Sequence, residues 1–160
     1  MVKIGLQIKA QLQNVTDLTP EGEDFRWYLK LRCVNCGDET PEYVYLTQLE
    51  SQPLKGGRGR ASLVIKCKLC ARENSIDIVK DSIKQYTAED TNKFKTIIVF
   101  DCRGVEPIAF DARIGWTAKG EETVTVFPEV DLSQGEWCDY DEKASEPVSI
   151  EELQHQFVKA

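Results

Sequence analysis

Apolar and polar residues alternate along much of this chain with the period of a half-buried strand rather than that of a helix. Ile4, Leu6, Ile8, Ala10 and Leu12 are interleaved with Lys3, Gly5, Gln7, Lys9, Gln11 and Gln13, so one face of this segment is expected to meet a core. After the loop-forming stretch NVTDLTPEGED, residues Phe25, Trp27, Leu29 and Leu31 resume the alternation and lead into Cys33. Tyr43 to Leu49, Ser62 to Cys67 and Ser75 to Val79 read as further strands, and Thr123 to Val126 and Glu129 to Leu132 as short strands on either side of Pro128. Val148 to Val158 fits either a closing strand or a short helix.

The first pattern recurs. Phe94, Thr96, Ile98, Phe100, Cys102, Val105 and Ile108 stand ninety residues beyond Ile4, Leu6, Ile8, Ala10, Leu12, Val15 and Leu18, and six of these seven later positions are apolar. With one residue removed, Trp116 lines up with Trp27. The expected fold is therefore mainly β, with two similar β-sandwich or barrel-like halves related by internal duplication. Residues 1–90 would form one half and residues 91–160 the other, joined at the polar stretch Ala88 to Lys93.

Four of the six cysteines fall in two CxxC pairs, Cys33/Cys36 and Cys67/Cys70, separated by thirty residues. Two such turns can direct four sulfurs at one ion, the donor set that tetrahedral Zn²⁺ accepts at about 2.3 Å. The gap exceeds the usual spacing of double CxxC sites. Gly37 can reverse the chain after Cys36, and a long hairpin built from Tyr43–Leu49 and Ser62–Cys67 around the glycine loop Lys55–Gly59 would return Cys67 to Cys36. This places one Zn²⁺ on Cys33, Cys36, Cys67 and Cys70, on paired hairpins of the N-terminal half, and leaves residues 91–160 metal-free. Lys30, Arg32, Lys66, Lys68 and Arg72 lie within five residues of a ligand and would offset the charge of four thiolates. Thiolates also accept Fe or Cu(I), so ligand type alone leaves the metal open.

Charge changes the picture in one respect. The net charge of −7 argues against nucleic-acid binding, where a basic footprint supplies most of the affinity. Its distribution is uneven: Leu54 to Arg72 carries six basic residues and no acidic one, whereas Glu129 to Glu146 carries seven acidic residues against Lys143. Each segment faces the other, water, or a partner of opposite charge. The stretch Lys55-Gly-Gly-Arg-Gly-Arg60 matches no phosphate-loop pattern, so a plain hairpin tip is the leading reading and anion or acidic-peptide binding the second. The N-terminus lacks an uninterrupted apolar signal core, and the longest apolar run, Ile97 to Phe100, cannot span a membrane, so a soluble cytoplasmic protein is expected. In a reducing compartment paired cysteines favour a metal over disulfides.

No reaction centre is evident. Cys102 takes the place of Leu12 on a core face, which predicts a buried thiol, and Cys138 is surrounded by carboxylates that blunt its reactivity. His155, the one histidine, reads as structural or solvated. There is no GxSxG, no HExxH and no carboxylate pair in apolar surroundings.

Several long blocks resemble the eukaryotic CXXC motif containing zinc binding protein family: KIGLQIKAQLQNVT, GEDFRWYLKLRCVNCG, LKGGRGRAS, KCKLCARENSI, FDCRGVEPIAF, the WCDYDEK segment from Trp137 and the HQFVK ending. The resemblance runs end to end. It implies Zn²⁺ at Cys33, Cys36, Cys67 and Cys70, a mainly β fold of two similar halves, no established enzymatic activity and an association with a copper chaperone. The expected function is that of a non-enzymatic zinc protein, a monomer whose metal holds the fold and whose surface binds another protein, with no nucleic-acid or membrane partner. The alternatives are a zinc-containing thiol oxidoreductase akin to methionine sulfoxide reductases, which needs a further accessible cysteine, and a metal-exchange partner of a copper chaperone.

Overall fold

A computed structural model describes residues 2–54 and 59–160, and among them the chain is almost wholly β. The alternating N-terminal segment forms β1 (Val2–Gln13), which is followed at once by β2 (Val15–Pro20), the turn between them being the single residue Asn14 with φ 60°. The loop after Pro20 leads to β3 (Trp27–Cys33), in which Trp27, Leu29, Leu31 and Cys33 are buried while Arg32 is exposed. Next come β4 (Val44–Leu46), the minimal hairpin β5 (Gln52–Pro53) and β6 (Arg60–Ala61), then β7 (Leu63–Lys66) and β8 (Glu73–Ile78).

The polar stretch from Ala88 contains a 3-10 turn, Ala88–Asp90, rather than loose chain. Asp90 accepts hydrogen bonds from the Thr87 N–H and hydroxyl at 2.9 Å and from Lys95 Nζ at 2.8 Å. Tyr86, fully buried, donates its hydroxyl to the Lys93 carbonyl at 2.7 Å and accepts the Ala10 N–H at 3.2 Å, which ties this segment to β1.

The second half of the chain supplies β9 (Lys95–Arg103), β10 (Val105–Asp111), β11 (Trp116–Gly120), β12 (Val126–Val130), β13 (Trp137–Asp141) and β14 (Glu146–Lys159). The ambiguous C-terminal segment is thus a strand, paired antiparallel with β1 over almost its whole length. Pro128 does not separate two strands but lies inside β12, at the edge of its sheet where a missing N–H is tolerated.

Six strands form a half-barrel sheet in the order β13-β14-β1-β9-β8-β7, with smaller sheets β10-β3-β4 and β12-β11-β2. Strands from either side of residue 90 are interleaved throughout: β1 pairs with β9, β3 with β10 and β2 with β11. The ninety-residue offset relates β1 to β9, β2 to β10 and β3 to β11, so β1 pairs with its counterpart while β2 and β3 each pair with the counterpart of the other; an internal duplication is not confirmed. The two aligned tryptophans meet in one core, Trp27 and Trp116 packing edge to face at 5.9 Å with Phe25 against both.

The expected long hairpin is not formed. Val44–Leu46 is all that pairs within Tyr43–Leu49, and it returns to β3, whereas β7 pairs with β8. Each CxxC therefore closes its own turn, one at the end of β3 and the other between β7 and β8. The metal centre consequently joins two different sheets.

Candidate metal centre

The two turns are built alike. In the first, the Cys33 carbonyl accepts the Gly37 N–H at 2.8 Å and the Cys33 N–H donates to the Asp38 carbonyl at 2.8 Å. In the second, the Cys67 carbonyl accepts the Ala71 N–H and the Cys67 N–H donates to the Arg72 carbonyl, both at 2.9 Å. This closure needs a left-handed residue just after the second cysteine, and Gly37 (φ 82°) and Ala71 (φ 62°) provide it. Gly37 announced the turn in the sequence, whereas Ala71 gave no such signal.

The turns bring Cys33, Cys36, Cys67 and Cys70 together, all four sulfurs lying within 4.8 Å of one another. Two of the separations are 3.8 Å, between Cys33 and Cys70, and 3.5 Å, between Cys36 and Cys67. A tetrahedron with Zn–S bonds of about 2.3 Å has edges of about 3.8 Å, so the donor set fits one such ion. Cys33 and Cys67 are buried, Cys70 is half-buried and Cys36 is exposed, so the site lies at the surface with one side closed.

Electrostatics also favour a cation here. The Cys36 N–H, and after it the Asn74 amide at 3.5 Å, holds the Cys33 thiol down to about 6 against the effect of burial. The Asn35 side chain, then the Arg72 N–H, lowers the Cys70 thiol. The Asp38 N–H favours the Cys36 thiolate, but burial and the sulfurs of Cys67, Cys70 and Cys33 outweigh it and push that thiol up to about 12. Four sulfurs this close cannot all ionise unaided, and a bound divalent cation removes that conflict.

Two of the five cations expected to offset the thiolates are engaged elsewhere. Arg32 is ion-paired with Glu106, and Lys30 lies over the Tyr43 ring at 5.1 Å. Donors to the sulfurs are instead backbone N–H groups and the amides of Asn35 and Asn74. Asn35 lies inside the first CxxC and could have been suspected; Asn74 carries no signature. It is buried and held close to Gly104, whose φ of 76° and missing Cβ leave room for it.

The remaining candidates lie apart from the centre. Cys102 is 2 % exposed, and burial followed by the Asp101 charge pushes its thiol up to about 12, so it is a core residue as expected. Cys138 is exposed on β13, at the far edge of the six-stranded sheet from β7. His155 is exposed on β14, but partial desolvation lowers its pKa, its ring sitting 5.8 Å from Phe110 and 5.8 Å from Phe157. Of the glycine-loop candidates, residues 55–58 lie outside the described residues; Arg60 donates to the Ser51 hydroxyl and carbonyl at 2.8 and 2.7 Å.

Comparison with known proteins agrees with the geometry. The profile of the family described as CXXC motif containing zinc binding protein, eukaryotic, matches residues 5–158. This chain belongs to that family. It is 60% identical to UPF0587 protein v1g245604 of Nematostella vectensis and 58% identical to the CXXC motif containing zinc binding protein of Mus musculus, in each case with 99% of both chains covered. The crystal structure of C1orf123 superposes with a TM-score of 0.95 at 55% identity over 99% of both chains. A hypothetical protein from Plasmodium falciparum shares the fold, with a TM-score of 0.89 at 23% identity over 99% of this chain and 100% of that one. In this zinc-binding family the four cysteines are positioned to hold one Zn²⁺.

Proposed function

We propose that this protein is a non-enzymatic binding protein in which one Zn²⁺, held by Cys33, Cys36, Cys67 and Cys70, clamps the end of β3 to the β7–β8 turn and so sets a surface for another protein. The observation that carries this reading is that the two turns belong to different sheets and meet through their sulfurs. The metal's chemistry when bound is charge neutralisation and cross-linking, and the chain's own N–H groups and asparagine amides orient the sulfurs for it.

Two further features support binding over catalysis. Val34 and Leu69, the apolar residues at the tips of the two turns, are 63% and 70% exposed, so each turn offers one apolar side chain at the metal-bearing end. The oxidoreductase reading needs an accessible activated cysteine beside the tetrad, and Cys102 is buried while Cys138 lies across the sheet.

Structural zinc contributes about 10–16 kcal/mol of apparent binding free energy, against the ~5–15 kcal/mol stability of a whole domain. Cys67→Ser is therefore expected to lose zinc and to lower the melting temperature by roughly 10 °C or more, at about 2–4 °C per kcal/mol for a chain of this size. Elemental analysis with a thermal melt checks both. Zinc lost at an unchanged melting temperature would remove the clamp from this account.

A further inference from the structure

The six-stranded sheet ends on β7, and a groove of about 490 Å³ lies along that edge, within the usual range of ligand sites. Leu31, Val44, Ile65 and Val105 give it an apolar lining, and Cys33, Cys67 and Asn74 place the metal centre at its side. Asp38, Glu39 and Glu42 line it from the segment after the first turn, and Lys66 and Lys68 from β7 and the second turn. Among the described residues none of these five charges forms an ion pair. Opposite charges thus share one groove without neutralising each other.

The backbone along this edge is suited to one class of occupant. The Cys67 N–H turns inward to the Arg72 carbonyl, so by strand alternation the N–H and C=O of Lys66 and Val64 point away from β8. The Val64 N–H is already met by Gln52 Oε1 at 2.8 Å, which confirms the outward direction. Lys66 therefore presents its backbone groups outward beside the groove. An extended chain laid there would gain main-chain hydrogen bonds from the sheet and specificity from alternate side chains.

We infer that this groove binds an extended peptide segment of a partner protein, added to the sheet beside β7, with apolar side chains toward Leu31, Val44, Ile65 and Val105, a carboxylate toward Lys66 and Lys68, and a basic side chain toward Asp38, Glu39 and Glu42. The inference rests on the protein-binding reading above and names the surface and the chemistry of the partner. A second copy of this chain is a poor occupant. Its acidic surplus lies around β13, the opposite edge of the sheet, and Asp131 to Glu142 contains no basic residue to meet the acidic side of the groove. Two copies of net charge −7 also repel. The same placement shows that the basic segment around β7 and the acidic segment around β13 lie at opposite ends of the six-stranded sheet.

The test titrates the zinc-loaded, ¹⁵N-labelled full chain with the blocked peptide acetyl-Glu-Val-Lys-Ile-Glu-Val-amide, whose alternate residues present the required apolar and charged faces. Saturable amide shifts are expected at residues 38–44 and 63–68, with slowed hydrogen exchange at Lys66. The double variant Lys66→Glu/Lys68→Glu should bind this peptide at least tenfold more weakly, and a peptide with lysine in place of its glutamates should restore binding to that variant. Absence of saturable shifts in the groove overturns the proposal, as does a double variant that binds equally well. It is also overturned if the peptide-free protein forms a concentration-dependent dimer through residues 63–68, since a second copy then fills the groove. Any such failure with one zinc still bound and the melting temperature unchanged contradicts this inference alone and leaves the zinc clamp standing.

Discussion

At the scale of single residues, the two metal-bearing turns solve one backbone problem with different side chains. Gly37 occupies its left-handed conformation without strain, whereas Ala71 does so with a Cβ that costs about 1–2 kcal/mol in that region. Nothing lies within 4 Å of a Cβ added at residue 37, so Gly37→Ala should lower stability by about 1 kcal/mol through backbone strain alone. Ala71→Gly relieves the matching strain and gives part of it back as unfolded-state entropy, so urea denaturation should show a gain below about 1 kcal/mol. Gly104→Ala is a different case, because its Cβ would collide with Asn74 Oδ1 and the Asn74 amide donates to the Cys33 sulfur. That variant should lose more than about 2 kcal/mol, the sum of strain and a displaced buried amide. A loss no larger than that of Gly37→Ala would show that Asn74 shifts freely and does not position the sulfur.

At the scale of elements, Asp141 on β13 illustrates how a polar group holds a turn. It is 1% exposed and accepts hydrogen bonds from the Thr123 and Thr125 hydroxyls and from the Lys143 and Ala144 N–H groups. The Thr123 hydroxyl, ahead of Thr125 and the two N–H groups, holds this carboxyl below the ordinary aspartate value despite desolvation. A depressed folded-state pKa stabilises above the unfolded value of about 3.9 and is lost as pH falls through the lower folded value. Melting temperature should therefore decline below about pH 4, and Asp141→Asn should flatten that acid limb; an unaltered limb would assign the acid sensitivity to other groups.

The elements also show what the sequence made legible. Period-two alternation located β1, β3 and β9 because each buries one face. Alternation fixes which face of a strand is buried, not which strand lies beside it, and so the long hairpin between the cysteine pairs was misread. β14 escaped assignment because Glu151, Glu152, Gln154, His155 and Gln156 are exposed on both sides of the half-buried Leu153, which breaks the alternation where the strand lies at the surface. Within the site, CxxC spacing identified the four sulfurs, since that chemistry is local. The Asn74 and Gly104 contacts come from β8 and the β9–β10 turn, and no local pattern encodes such tertiary neighbours.

At the scale of the whole molecule, the zinc site links the β10-β3-β4 sheet to the last strands of the half-barrel. Most of the fold is held by a shared aromatic and aliphatic core, but the two turns meet chiefly through sulfur. Under the proposed clamp their orientation, and with it the groove between residues 38–44 and β7, depends on the metal. The central claim is thus that one ion occupies the four-cysteine site and leaves Cys102 and Cys138 as thiols. Native mass spectrometry of the purified chain, with elemental analysis and thiol counting on the same sample, tests it most directly. The account predicts one zinc per chain, the exposed Cys138 as the readily titrated thiol of the zinc-loaded fold, and six thiols without disulfides once that chain is unfolded and its zinc chelated. A metal-free chain with disulfides in the CxxC pairs, or with six free thiols, would contradict it.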